Sequence, residues 1–160
     1  MTLEELNGLP PDRAAAEFTR CCGSARWART MTNERPFADA DALAAAAHRV
    51  WSSLAAADWL EAFSAHTRIG GETTSRWSAE EQSAASSAPR DARDRIARGN
   101  FQYEQRFGYT FIVCATGRLA GEILASLEER LGNSVDNELI VAAEEQRKIT
   151  ELRLRKLITS

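Results

Sequence analysis

Apolar residues recur along most of this chain at the three- to four-residue spacing of helices, interrupted by glycine, proline and short polar stretches. Thr2 and Glu5 stand as a capping box, which predicts a short first helix ending near Gly8. Pro10 and Pro11 sit where a second helix begins; Ala14 to Cys22 continue it with Phe18 as the bulky anchor, and Gly23 ends it. Ala25 to Thr32 predict another helical turn or two before Pro36. Asp39 or Asp41 then caps an alanine-rich helix in which Leu43, Ala46, Ala47, Val50, Trp51 and Leu54 keep the helical period, and a further helix is expected over Trp59 to Ala65.

The period stops between Thr67 and Trp77, where Gly70 and Gly71 among threonine and serine mark a surface loop. Ser78 opens a new segment, and Pro89 divides it from a charged helix over about Arg90 to Phe107 that carries Ile96, Phe101 and Tyr103. After Gly108 the run Tyr109-Thr-Phe-Ile-Val-Cys114 is β-branched and aromatic. In isolation it reads as a strand, but a lone strand leaves its amides unpaired, so an extended linker or an irregular helix start fits it equally. Leu119, Ile123, Leu124, Leu127 and Leu131 outline an amphipathic helix stopped by Gly132 and Asn133.

The last and longest helix is expected over about Asp136 to Leu157, capped by Ser134 or Asp136. Leu139, Ala142, Gln146, Ile149, Arg153 and Leu157 share one arc of it, while Ile140, Leu154 and Ile158 lie nearly opposite. Two apolar faces suggest a core on one side and a subunit contact on the other. The expected architecture is all-α: a compact helical bundle with irregular connections, residues 1–160 forming one domain.

Composition narrows the partners. With 44% hydrophobic and 27% charged residues the 160-residue chain is an ordinary globular sequence. A net charge of -3 supplies no positive field for a polyanion, which argues against nucleic acid. No window approaches the roughly 18 uninterrupted apolar residues of a membrane span. Of the three cysteines, Cys21 and Cys22 are adjacent and Cys114 lies in an apolar run, so no disulfide framework is visible. The first residues lack a signal-peptide pattern, and Ile158-Thr159-Ser160 is no peroxisomal address, so a cytoplasmic setting is expected.

Few residues offer chemistry. His66 ends a predicted helix and opens the glycine-containing loop, a position that suits a catalytic histidine and a structural one equally well. His48, beside Val50 and Trp51, reads as an ordinary helical residue. Ser78, Glu81 and Gln82 have the spacing of a capping box, the reading that spacing favours. The same helix start could also bind an anionic substrate, with Glu81 as acceptor or base. Arg153 falls in the middle of an apolar arc, where it either snorkels outward or meets an anion such as a carboxylate. Arg106 and Arg118 have weaker claims. Cys114 among Phe111, Ile112 and Val113 reads as a packed thiol rather than a nucleophile. No metal-ligand pattern and no glycine-rich nucleotide loop is present, so neither a metal nor an organic cofactor is expected.

Four blocks in order, taken together, resemble the 2-oxo-4-hydroxy-4-carboxy-5-ureidoimidazoline (OHCU) decarboxylase family from about Leu60 onward. They are Ala65-His66-Thr67-Arg68-Ile69-Gly70-Gly71; Ser78-Ala79-Glu80-Glu81-Gln82; Tyr103 through Phe107, Gly108 and Phe111 to Gly117-Arg118; and Glu144 through Gln146, Lys148 and Ile149 to Arg153. The resemblance implies an all-α, homodimeric, cofactor-free enzyme that converts OHCU to (S)-allantoin and carbon dioxide in urate catabolism. It also implies that His66 is the catalytic histidine, Glu81 the essential carboxylate and Arg153 the substrate-binding arginine. Ser78, Ala79, Glu80 and Gln82 would line the pocket, and main-chain groups of Phe111, Ile112, Val113, Cys114 and Ala115 would hydrogen-bond the heterocycle. Thr67 stands where the family usually has proline, which puts the substrate contact at that position in question. Two other readings compete: a His/Glu acid-base lyase or hydrolase acting on a neighbouring ureide such as 5-hydroxyisourate, and a non-catalytic helical interaction module resting on the second apolar face of the last helix.

Overall fold

The computed structural model describes residues 1–68, 80–81, 83 and 89–159, and every regular element with assigned bounds among them is a helix. In chain order these are α1 (Leu3–Gly8), α2 (Pro11–Cys21), α3 (Ala25–Asn33), α4 (Ala40–Ser52), α5 (Ala56–Ser64), α6 (Arg90–Phe107), α7 (Ala120–Arg130) and α8 (Val135–Thr159). The chain divides into two compact units, Met1–Ala65 with Gln146–Ser160, and His66–Glu145.

Local chemistry sets most helix ends of the first unit. The Thr2 hydroxyl accepts from Glu5 N–H at 3.1 Å and the Glu5 carboxylate accepts from Thr2 N–H at 2.7 Å, closing the predicted capping box of α1. The other end of α1 is held from a distance: Arg35 Nη1 donates to the carbonyls of Leu6 and Leu9, both at 2.8 Å. Asp39, not Asp41, caps α4, accepting from Ala42 N–H at 2.7 Å. Helix α5 starts earlier than expected, at Ala56, without a side-chain cap, which is why polar residues did not reveal its start. Helix α3 is a full nine residues because Ser24 caps it at Trp27 N–H.

Leu6, Phe18, Trp27, Met31, Leu43 and Phe63 are almost completely buried in this unit. Phe18 meets Trp27 edge to face at 5.9 Å, and the Trp27 indole donates to Ala47 O at 3.2 Å, so the aromatic body is packed and its polar tip satisfied. Gly23 lets the chain close on the end of α5: a Cβ there would stand 2.5 Å from that of Ala65, the residue before His66.

The second unit packs α6 against α7 around Ile96, Tyr103, Phe107, Phe111, Val113, Ile123, Leu124 and Leu127. Gly99 allows this approach, since a Cβ there would fall 2.5 Å from Leu127 Cδ2. Gly108 ends α6 in the left-handed conformation at φ 83°. Residues 110–115 form neither helix nor strand, so the extended linker is the reading that holds for the run ending at Cys114. Phe101 of α6 is 64% exposed, and Leu119, 70% exposed, is the residue before α7 rather than part of its apolar stripe.

Helix α8 starts at Val135, with the Ser134 hydroxyl accepting from Asn137 N–H at 3.2 Å. Its second apolar face does not form one free surface. Ile140 is exposed, but Leu154 is buried and, with Ile158, lines a cavity of about 210 Å³ shared with Ala40, Leu43 and Ala44 of α4. That half of the face is used inside the first unit, and a wheel drawn on one helix does not show which neighbour covers it. Among the described residues no helix is long and apolar enough to cross a membrane.

Candidate active site

His66 follows α5 directly and is half-buried, as is Thr67. The next residue, Arg68, makes a two-pronged pair with Glu104 of α6: Nε donates to Oε1 at 2.7 Å and Nη2 to Oε2 at 2.8 Å. The fork has good geometry, but its arginine side chain is 69% exposed, so it orients the segment after the histidine only weakly. Glu80 and Glu81 are helical, the first exposed and the second half-buried. Ser78, Ala79 and Gln82 lie outside the described residues, as does most of the glycine loop and therefore the hydroxyl of the proposed cap.

The linker that carries the expected main-chain contacts is held by charge. Arg130, at the end of α7 and 5% exposed, donates from Nη1 to Ile112 O at 2.8 Å, and its guanidinium lies 4.4 Å from the Phe111 ring centroid. Its charge is met by Glu138 of α8, which is fully buried: Arg130 Nε donates to Oε1 at 2.7 Å, and Nη2 stands 2.6 Å from the same oxygen. Tyr103 donates to Oε1 as well at 2.6 Å, and Asn133 Nδ2 donates to Oε2 at 2.9 Å. Burial, reinforced by the hydrogen bond to Glu138, pushes the Tyr103 hydroxyl well above its ordinary pKa range, so it stays a donor. Two turns along α8, Glu145 Oε1 accepts from Cys114 N–H at 3.3 Å and lies 3.6 Å from Arg118.

Phe111, Ile112, Val113 and Ala115 are buried, whereas Cys114 is half-buried, less enclosed than a packed thiol was expected to be. The linker's polarity therefore resides in its backbone. Ile112 O and Cys114 N–H have partners, but the N–H and C=O of Val113, a residue 4% exposed, find none among the described residues.

Arg153 belongs to the first unit. It is half-buried, its Nη1 stands 3.5 Å from Arg20 O at the end of α2, and its charge acts on the neighbouring thiols of Cys21 and Cys22. It thus combines an apolar stem with a head near a helix carbonyl end, and a carboxylate-binding role is compatible with that placement. His48 is exposed on α4, an ordinary helical position. Arg106 donates to Asn133 O at 2.7 Å, a structural use. No group of three or more His, Cys, Asp or Glu side chains among the described residues is arranged to hold a metal ion.

A family model described as OHCU decarboxylase matches residues 7–155, nearly the whole chain. The chain belongs to the OHCU decarboxylase family. Among its relatives, the uric acid degradation bifunctional protein TTL of Arabidopsis thaliana is 39% identical over 151 residues, covering 89% of this chain but 47% of that protein, so the chain spans about half of that relative's length. The 2-oxo-4-hydroxy-4-carboxy-5-ureidoimidazoline decarboxylase of Amia calva is 36% identical over 82% of this chain and 79% of its own. The crystal structure of an OHCU decarboxylase in the presence of (S)-allantoin matches with a TM-score of 0.82 at 38% identity, covering 90% of this chain and 98% of that one.

Within this OHCU decarboxylase family member, the buried pair of Arg130 and Glu138 and the carboxylate of Glu145 escaped the sequence reading. The signal was present. Arg130 falls three residues after Leu127 on an apolar stripe, and Glu138 and Glu145 fall on the stripe of Ala142 and Ile149. Each is a charge on a core-facing arc, the same anomaly that singled out Arg153.

Proposed function

We propose that this chain is a carboxy-lyase that converts 2-oxo-4-hydroxy-4-carboxy-5-ureidoimidazoline to (S)-allantoin and carbon dioxide, acting in urate degradation. The observation that supports this most is the match over nearly all of a structure determined for an OHCU decarboxylase in the presence of (S)-allantoin. The substrate carries a carboxylate and a hydroxyl on one ring carbon and a ureido group on its neighbour. Breaking the carbon–carboxylate bond releases carbon dioxide and leaves an electron pair that the adjacent ring imine absorbs. The imine nitrogen that received the pair takes up one proton from solvent, leaving an enol; the enol hydroxyl then gives up its proton as one proton is added to the carbon bearing the ureido group, and the hydroxyl-bearing carbon becomes a carbonyl. No external electron sink is needed, consistent with a cofactor-independent enzyme.

In this reading His66 is the proton-transfer group, taking the hydroxyl proton or delivering the proton to one face of the ring, which sets the configuration. Glu81 orients His66 or holds the ureido N–H groups, and Arg153 binds anionic oxygen. Ser78, Ala79, Glu80 and Gln82 line the pocket, with Thr67 in place of the family's usual proline. The Phe111–Ala115 backbone reads the heterocycle, a reading supported by the main chain of buried Val113, which has no partner among the described residues. The active form is a homodimer in the cytoplasm.

The test generates the substrate freshly from urate and follows ultraviolet decay and optical rotation with and without the protein. Acceleration with accumulation of the S enantiomer is expected, and His66→Ala is expected to lose at least about a hundredfold of it, the lower range of general acid-base contributions, with an unchanged circular dichroism spectrum. Equal decay with and without wild-type protein, or action only on 5-hydroxyisourate, overturns the assignment.

A further inference from the structure

A backbone that reads a ligand has to be held in register by something other than the ligand. In residues 112–114 two main-chain groups are held by charged side chains, Ile112 O by Arg130 at 2.8 Å and Cys114 N–H by Glu145 at 3.3 Å, while the main chain of Val113 between them has no partner among the described residues. Successive residues of an extended segment present their polar groups to opposite edges, so Val113 faces away from the edge that Ile112 and Cys114 share. One edge here is addressed from α8. Glu138, which holds Arg130, and Glu145 are seven residues apart, two turns along one face.

We propose that Glu145 is a positioning residue which, together with Arg130 and its partner Glu138, fixes the register of the 112–114 backbone and so aims the N–H and C=O of Val113 at the ring of the bound ligand. The inference rests on the decarboxylase reading for the identity of that ligand. Glu145 itself touches no reacting atom. It lies 8% exposed, with its carboxylate shared between Cys114 N–H and the Arg118 guanidinium 3.6 Å away. An acceptor at this place has no evident need of charge to hold an amide, since a neutral carboxamide oxygen accepts the same bond. The ring edge read by a main-chain N–H and C=O pair changes little between substrate, transition state and product. Loss of register therefore weakens all three alike, and uniform binding of that kind appears in KM rather than kcat.

The experiment compares wild type, Glu145→Ala and Glu145→Gln by turnover of freshly generated substrate, by calorimetric binding of (S)-allantoin, and by amide hydrogen exchange at Cys114. For Glu145→Ala, KM and the allantoin Kd are expected to rise about tenfold, the effect of one lost hydrogen bond, with kcat changed less than about threefold. Cys114 exchange is expected to accelerate by at least about tenfold. Glu145→Gln, which keeps the acceptor oxygen, is expected to restore all three to within about threefold of wild type. A Glu145→Ala enzyme with unchanged KM and Kd, one that loses kcat alone, or a Glu145→Gln enzyme as impaired as the alanine variant overturns the proposal. If wild type shows neither turnover nor allantoin binding, the functional reading fails, and Cys114 exchange equal in wild type and Glu145→Ala then also disposes of the clamp.

Discussion

Replacing Glu138 by leucine removes a fully buried carboxylate and leaves the 5% exposed Arg130 guanidinium with its charge uncompensated. Three side chains lose an acceptor at once: Arg130 at 2.7 Å, Tyr103 at 2.6 Å and Asn133 at 2.9 Å. Breaking one side of a buried ion pair costs about 3–5 kcal/mol, mostly because the remaining charge stays desolvated. At about 2–4 °C per kcal/mol for a chain of this size, the midpoint of thermal unfolding should fall by roughly 6–20 °C. The decisive comparison is the double variant Arg130→Met with Glu138→Leu, which removes the charge altogether. It forfeits the bond to Ile112 O but carries no buried ion, so it should recover to within about 2 kcal/mol of wild type. Urea titrations followed by circular dichroism, with m-values checked for constancy, give the three free energies. If Glu138→Leu costs less than about 1 kcal/mol, or the double variant is no more stable than the single, the pair is not the electrostatic unit its geometry indicates.

Two further outcomes follow from the first unit. Burial pushes the Cys21 thiol up to about 12 and the Cys22 thiol to about 11 from an ordinary 9.0, so the folded chain keeps protons that the unfolded chain releases. Stability from these groups is therefore complete below about pH 9 and declines as pH rises through 11 to 12, with about 1.4 kcal/mol lost per thiol by pH 10. Under reducing conditions the urea midpoint should drop less between pH 8 and 10 in Cys21→Ala than in wild type; identical drops refute the buried-thiol account. Gly23→Ala should destabilise by about 1–3 kcal/mol, because its Cβ would stand 2.5 Å from that of Ala65. Adding Ala65→Gly should relieve at least about 1 kcal/mol of this in a double-mutant cycle, and strict additivity would show that the two positions do not meet.

The parts of this fold legible in the sequence are those decided within a few residues. The Thr2 and Glu5 capping box, the bounds of α6 at Arg90 and Phe107 and the stop at Gly108 depend on neighbours a turn away, and each stands where residue type alone placed it. Where no local signal existed, as at the uncapped start of α5, the boundary was misplaced by three residues. Composition and spacing brought His66, Glu81 and Arg153 forward but left each with a plain structural alternative, and it was the order of four motif blocks that favoured the chemical reading.

The sequence by itself thus determined the helical class, most element boundaries and, through those blocks, the family. Only the tertiary structure decided that the apolar run after Gly108 is an extended linker, that Leu154 turns toward α4 rather than outward, and that Arg130, Glu138 and Glu145 serve one stretch of backbone. The physical reason is that a helix or cap is settled by the chain's own neighbouring amides. The partner of a buried charge comes from a helix remote in sequence: Arg130 reaches back 18 residues to Ile112, and Glu145 reaches back 31 to Cys114. Pattern along the chain marks such charges as out of place; folding supplies the groups that satisfy them.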